Sequence, residues 1–311
     1  MRCMRARVFA LGMTLCACGR MEGRVLQVVE RVQLGSDSSS TVAVDSVGRH
    51  WLGSTGALQV RDSAGDGASV PAPGAEAPRV LGWIGRQAYL RVADEVAVVE
   101  LGADSALARR GGFGVNPVSL DVRGRVVLEA AASGAVIGYD PGTLEPLWAW
   151  PALAQRSTAL AVSPEGDRVY QALGTGEQAH RVLIRDLQSG RVLSSASFPA
   201  PFRALVTDDD GVLYGIVSDR RGAAVLALRP RAHDLELVWR VRLPASEDEA
   251  EMRIDVRASR VLVWGSGVGL RLIDASDGTI IGRTRTDPLD ATLDPGGELW
   301  ALFSGELQRL R

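Results

Sequence analysis

Apolar and polar positions in this chain alternate with a period of two in short runs, and the runs come in pairs. Val42–Leu52 reads as an apolar strand, a polar turn and a second apolar strand carrying an aromatic. The same pattern returns at Val80–Leu90, Val118–Leu128, Leu160–Leu173, Ala204–Val217, Ile254–Gly265 and Leu289–Phe303. Further strands follow each pair, as in Arg181-Val-Leu-Ile-Arg and Gly269-Leu-Arg-Leu-Ile. Strict alternation rich in Val predicts strands and excludes helical repeats, whose apolar positions would recur every three to four residues. The turns are marked by Gly48, Gly85, Gly124, Gly166 and Gly211, by Ala258-Ser259 in the sixth copy and by Gly296-Gly297 in the last. The first five are spaced 37, 39, 42 and 45 residues apart, a period typical of propellers and solenoids.

The second strand carries an aromatic at a nearly constant offset: Trp51, Tyr89, Tyr170, Tyr214, Trp264 and Trp300, with Val127 in the third copy. One large ring per copy is what packing between stacked sheets requires. A lone four-stranded sheet leaves one face unburied and two edges unpaired, and radial arrangement removes both defects. The expected fold is therefore all-β, a seven-bladed β-propeller, with six blades plus a loose hairpin as the rival count. The last copy holds about three strands before the chain ends, and Val25 to Leu34 form an extra β segment ahead of the first copy. Placed as the outer strand of the last blade, that segment closes the ring.

The fourth copy, Ala161-Val-Ser-Pro-Glu-Gly-Asp-Arg-Val-Tyr followed by Val182-Leu-Ile-Arg-Asp-Leu-Gln-Ser-Gly-Arg-Val, resembles the repeat of YVTN-type and WD40-like bacterial β-propellers. The first copy, Val42-Ala-Val-Asp-Ser-Val-Gly-Arg-His-Trp-Leu, is closer to the NHL-like repeats of six-bladed bacterial lipoproteins. This resemblance implies a fold and no particular chemistry, because the superfamily includes enzymes, adaptors and sensors.

The first residues read as a targeting segment: Arg2, Arg5 and Arg7 precede an apolar stretch from Val8 to Leu15 that is too short to span a bilayer. Leu15-Cys16-Ala17-Cys18-Gly19 resembles the lipobox of bacterial lipoproteins, although Cys16 stands where Ala, Ser or Thr is usual. The resemblance implies a signal peptide over 1–17, lipidation of Cys18, a linker over 18–24 and a single propeller domain over 25–311. Gly19 is not the Asp that commonly retains lipoproteins in the inner membrane, which points to an outer membrane lipoprotein facing the periplasm. All three cysteines lie at or before Cys18, so the mature domain has no thiol for a disulfide or a metal. The formal charge of −2 becomes −5 without the leader arginines. No basic stripe remains to bind nucleic acid.

Candidate chemistry is sparse. His50, His180 and His233 fall in different copies without metal-ligand spacing, and His50 is expected to be solvated or to cap a turn. Gly265-Ser-Gly-Val-Gly superficially resembles a dinucleotide fingerprint, but no helix follows it, so it is read as a turn. Asp208-Asp-Asp-Gly is read as a turn rather than a calcium loop. No catalytic residue, metal site or cofactor is assigned. Trp148 and Trp239, in matching outer strands, are expected to seal neighbouring blades.

Loops that share a rim supply the ligand-binding candidates. Connections between blades open on the same rim as those between second and third strands. That groups the acidic insertion Glu247, Asp248, Glu249 and Glu251 with Glu177, His180 and Arg181, and with Asp219, Arg220 and Arg221. Arg203, Arg253 and Asp255, near the starts of inner strands, are the candidates for the central channel. The expected function is a non-enzymatic, lipid-anchored binding platform in the cell envelope for a protein or small ligand. The alternatives are a hydrolase resembling propeller lactonases, favoured by His, Arg and acid converging on one channel mouth, and a structural subunit of an envelope assembly, favoured by a contiguous apolar outer patch.

Overall fold

The computed structural model describes residues 23–34, 39–61, 67–71, 76–84, 86–100, 106–113, 117–120, 125–174, 180–219, 222–231, 234–244 and 252–311. An amino-terminal ribbon supplies β1 (Arg24–Val25) and β2 (Val28–Gln33). Blade 1 follows as β3 (Thr41–Val44), β4 (His50–Ser54), β5 (Ala57–Arg61) and β6 (Gly67–Pro71). Blade 2 is β7 (Arg79–Ile84), β8 (Gln87–Val92), β9 (Glu95–Glu100) and β10 (Ala108–Arg110). Blade 3 is β11 (Val118–Leu120), β12 (Val127–Ala130), β13 (Val136–Tyr139) and β14 (Pro146–Trp150). Blade 4 is β15 (Ser157–Val162), β16 (Arg168–Leu173), β17 (His180–Asp186) and β18 (Val192–Phe198). Blade 5 is β19 (Phe202–Thr207), β20 (Leu213–Asp219), β21 (Gly222–Pro230) and β22 (Leu235–Arg242). Blade 6 is β23 (Arg253–Arg257), β24 (Arg260–Gly265), β25 (Gly269–Asp274) and β26 (Ile280–Arg283). Blade 7 contains β27 (Asp290–Leu293), β28 (Leu299–Phe303) and β29 (Glu306–Leu310).

Within each blade, neighbours in sequence pair antiparallel, so every sheet is a meander running from the centre outwards. Inner strands of successive blades touch all the way round, including β27 against β3 across the junction of the chain ends. The ring is closed, and the blade count is seven rather than six.

Alternation drives this arrangement because both faces of each sheet are buried. In β9, Val96 and Val98 enter the apolar layer shared with blade 3, while Ala97 and Val99 enter the layer shared with blade 1. One such layer fills each of the seven junctions between blades. Each fully buried Val or Leu contributes about 1.5–3 kcal/mol before entropy is subtracted. The aromatic series lies in these layers, with Trp51, Tyr89, Tyr170 and Tyr214 at 2% exposure or less. Trp264 departs from the series. It lies opposite Arg253 at the start of the inner strand, whereas Trp51, Tyr170, Tyr214 and Trp300 pair near the inner strand's other end.

The ribbon closes the ring as its sequence predicts, with an addition. β2 pairs antiparallel with β29 as the fourth strand of blade 7, and β1 pairs parallel with β26, giving blade 6 a fifth strand. β2 itself is largely exposed, so backbone bonds alone would hold it weakly. Leu26 and Leu34 anchor its two ends in the layers between blades 6 and 7 and between blades 7 and 1.

Trp239 seals a neighbour as expected: its ring covers Gly278 of blade 6, and its Nε1 donates to the Ala275 carbonyl at 2.8 Å. Trp148 lies over Gly138 of its own blade, stacks on Trp150 and packs against the layer between blades 3 and 4. Trp150 is the ring that covers Gly190 of blade 4, as Trp239 covers Gly278, and it lies 4.4 Å from the Arg185 guanidinium. The expectation for His50 needs correction, because it is neither solvated nor a cap. Its ring meets Trp300 edge-on at 4.1 Å, and its Nε2 is buried without a hydrogen-bond partner.

The turn at Ala258-Ser259 carries positive φ at both residues, 47° and 59°, where glycine or asparagine would be at ease. Ser259→Gly is expected to stabilise the fold by about 0.5–1 kcal/mol net of the added unfolded-state entropy, raising the thermal midpoint by about 1–3 °C. A lowered midpoint in calorimetry would contradict the strain assigned to that turn. Burial lowers the His50 pKa from 6.5, against the opposing carboxylates of Glu30, Asp294 and Asp45. The unfolded chain therefore takes up this proton first, and the contribution is constant above about pH 6.5 and lost as pH falls towards the depressed folded value. His50→Phe is expected to reduce the acid sensitivity of urea midpoints between about pH 7.5 and 5.5. Parallel pH curves for both proteins would show that His50 is not responsible.

Candidate functional site

All inner strands begin on the rim that carries the connections between blades, because each blade repeats the same meander. The first residues of those strands therefore surround one mouth of the central channel. Here the sequence places arginine at equivalent points: Pro78-Arg79-Val80, Phe202-Arg203-Ala204 and Met252-Arg253-Ile254. Blades 2, 5 and 6 carry them to a common cavity of about 440 Å³. Its remaining walls come from Pro117, Val118, Thr158, Ala159, Leu160, Ala204, Leu205, Met252 and Ile254, with no carboxylate among them.

The three guanidinium groups are held differently. Arg253 Nη1 meets Asp290 Oδ1 at 2.9 Å. Asp290 is buried, and it also accepts from Trp264 Nε1 at 3.1 Å and from the Val42 amide at 3.0 Å. One carboxylate thus ties blades 6, 7 and 1 together where the ring closes. Burial pushes the Asp290 carboxyl up, opposed by Arg253, the Val42 amide and Arg79. Arg203 donates through Nε to the buried Ser218 hydroxyl at 2.8 Å, leaving its two terminal nitrogens directed elsewhere. Arg79 makes no hydrogen bond or ion pair with the described residues and is exposed to the channel space that it lines. The channel wall around it and the neighbouring Arg253 cation lower its pKa, but a guanidinium retains its proton in proteins.

Asp255 points away from this function. Its carboxylate accepts from the Val256 amide at 2.8 Å, and from the Leu293 amide and the Thr292 hydroxyl of blade 7 at 3.0 and 3.1 Å. At the far end of the channel, Arg257 donates to the Val44 carbonyl at 3.1 Å and lies over the Trp83 ring. That contact spans from blade 6 to blades 1 and 2.

Of the rim candidates, Glu177, Arg220, Arg221, Glu247, Asp248, Glu249 and Glu251 lie outside the described residues, as does the Asp219 side chain. His180 and Arg181 open β17, away from the mouth. His180 Nδ1 is buried without a partner beneath Gly174, where any side chain would collide with it, and Arg181 donates outward to Ser195 Oγ at 2.7 Å. The two are not brought together with the channel arginines. Cys18 also lies outside the described residues.

The glycine string at 265–269 is a turn between β24 and β25, as read, yet it holds an anion supplied by the chain itself. The Gly267 and Gly269 amides donate to the two oxygens of Asp287 at 2.8 and 2.6 Å. The Asp208 run is also a turn, with its first carboxylate accepting from the Val212 amide and the Tyr214 hydroxyl. Among the described residues, no group of three or more His, Cys, Asp or Glu side chains is placed to hold a metal ion. Arg79 was the residue missed by sequence reasoning. The signal available was its position, one residue before the first apolar pair of an inner strand, shared with Arg203 and Arg253.

No protein-family model and no curated protein sequence matches this chain. Among solved structures, it is similar to the β-propeller domain of Cps50 (Swd1) from Myceliophteria thermophila, at TM-score 0.72 and 13% sequence identity. The match covers 92% of this chain and 99% of that domain. At that identity the likeness carries architecture alone: the chain is a seven-bladed β-propeller.

Proposed function

We propose that this chain is a non-enzymatic, lipid-anchored binding platform in the bacterial envelope, holding a protein partner on the rim that surrounds the arginine mouth. A propeller suits that role because a closed ring holds loops from different blades in fixed relation. The observation that carries binding over turnover is the state of the acids near the mouth. Asp290 and Asp255 each accept several structural hydrogen bonds, so neither is poised to activate water for a lactonase-type reaction. Arg and acid do converge there, but the described histidines His50 and His180 lie elsewhere. The assembly-subunit reading has less support, because exposed large apolar residues such as Leu107, Leu147, Val192, Leu237 and Val28 are spread over the outer strands of several blades.

The lipobox-like Leu15-Cys16-Ala17-Cys18 supports the anchor. Gly23 packs beside Ile280, the first residue of β26, on the rim opposite the arginine mouth. Four residues lie between Cys18 and Gly23, so the tether reaches at most about 17 Å when extended. An anchor so placed would turn the arginine mouth away from the membrane surface, where a partner can approach.

Expressed in a Gram-negative host, the protein should incorporate radiolabelled palmitate and sediment with membranes, and Cys18→Ser should lose both. Unchanged labelling in that variant would remove the anchor. Partner binding is tested by crosslinking in the envelope. The chain contains no lysine, so a photoreactive crosslinker is needed. Neutralising Glu247, Asp248, Glu249 and Glu251 to their amides should deplete specific crosslinked species, and identical profiles would refute a partner on this rim.

A further inference from the structure

We propose that the channel mouth binds a small molecule bearing two or more negative oxyanion charges, a phosphate ester or a polycarboxylate, through the guanidinium groups of Arg79, Arg203 and Arg253. The site is distinct from the outer loops assigned to a protein partner and stands without that assignment.

Charge is the first argument. Three arginines from three blades converge on one cavity whose described lining contains no acid, and among the described residues the carboxylate in contact with them, Asp290, is already engaged by Arg253. Arg79 and Arg203 are both exposed to this cavity, and Arg79 makes no hydrogen bond or ion pair with the described residues, so its donors are open to a ligand. A bound anion would pair with it and offset the repulsion from the neighbouring Arg253 cation. Arg203 is prepared for the same task, because Ser218 fixes its Nε and leaves the terminal nitrogens for a ligand. A guanidinium offers paired donors that match the spacing of carboxylate and phosphate oxygens, so this side chain suits both ligand chemistries.

Shape narrows the class. A cavity of about 440 Å³ lies within the range of small-molecule sites. The exposed lining is mostly polar, with smaller apolar contributions from residues such as Leu160, Leu205 and Ile254, so selectivity rests on the guanidinium donors. The recessed setting excludes a nucleic acid backbone, and a chain with net charge −2 has no surrounding basic field to draw one in. More than one negative charge is required because the cations come from different sides of the channel. A monoanion would satisfy one guanidinium and leave the others facing each other.

The test uses mature lipidated protein in neutral detergent, titrated calorimetrically with citrate and with glucose 6-phosphate at constant ionic strength. Acetate and glucose serve as singly charged and uncharged controls. Saturable binding of citrate or glucose 6-phosphate, with the controls inactive, is expected, and whichever binds identifies the carboxylate or phosphate source. Arg79→Gln and Arg203→Gln should each weaken binding about tenfold or more. Arg240→Gln, an exposed change on β22, should leave it unaltered. Arg79→Gln should also raise the thermal midpoint in anion-free buffer, since it removes a cation facing Arg253; this readout shows that the variant is folded. Absence of saturable binding by both polyanions would overturn the proposal, as would equal affinity in Arg79→Gln or an equal loss in Arg240→Gln. None of these outcomes depends on whether a protein partner is captured on the rim.

Discussion

Every feature of this molecule depends on burying both faces of seven small sheets. A four-stranded meander whose side chains alternate between two apolar faces has no stable solution alone, since one face must meet water. Stacking sheets side by side moves the problem to the ends of the stack, and bending the stack into a ring removes the ends. The two-sided burial of β9, with Val96 and Val98 in one layer and Ala97 and Val99 in another, is the local expression of that rule. Small residues then determine how closely blades approach. Gly190 and Gly278 lie beneath Trp150 and Trp239, where a side chain would collide with the ring.

Closure concentrates the polar chemistry of the fold at one place. The carboxy-terminal blade lacks an outer strand of its own, so the amino-terminal ribbon completes it, with Leu26 and Leu34 seated in adjacent apolar layers. On the inner side of that junction, Asp290 of blade 7 receives donors from blades 1 and 6. A buried carboxylate is tolerable only with such a set of donors. The same arrangement holds Arg253 at the mouth. The residue that secures the ring therefore also positions one of the cations in the cavity, and structural and binding roles meet at a single ion pair.

The repeat also explains why the cavity is cationic on an acidic protein. Net charge averages over the whole surface, whereas the mouth samples only the first few residues of each inner strand. Arginine at that point in three blades is enough to reverse the local sign. The glycine turn at 265–269 follows the opposite course, since its amide donors are occupied by Asp287 of the same chain. Of these two features suited to anions, the turn is filled from within and the mouth has cations to spare.

Strand periodicity, copy number and the incomplete last copy were legible in the sequence, because alternation and turn chemistry are local properties and the aromatic positions repeat with them. The ribbon's pairing with the last blade could be deduced by counting strands, but its parallel contact with β26 could not, since two residues of backbone carry no pairing signal. Trp148 and Trp150 show a similar limit. Both lie on the same face of one short run, and only the structure shows that Trp150 is the ring that covers Gly190 of the neighbouring blade. Arg203 and Arg253 were recognisable as channel residues from their places in the repeat, whereas Arg79 became significant only beside them. The sequence by itself determined a cycle of two-faced sheets, because hydrophobic alternation leaves no other way to dry both faces. Only the tertiary structure decided which charges meet, because residues more than a hundred positions apart become neighbours through ring closure, and no local pattern encodes that distance.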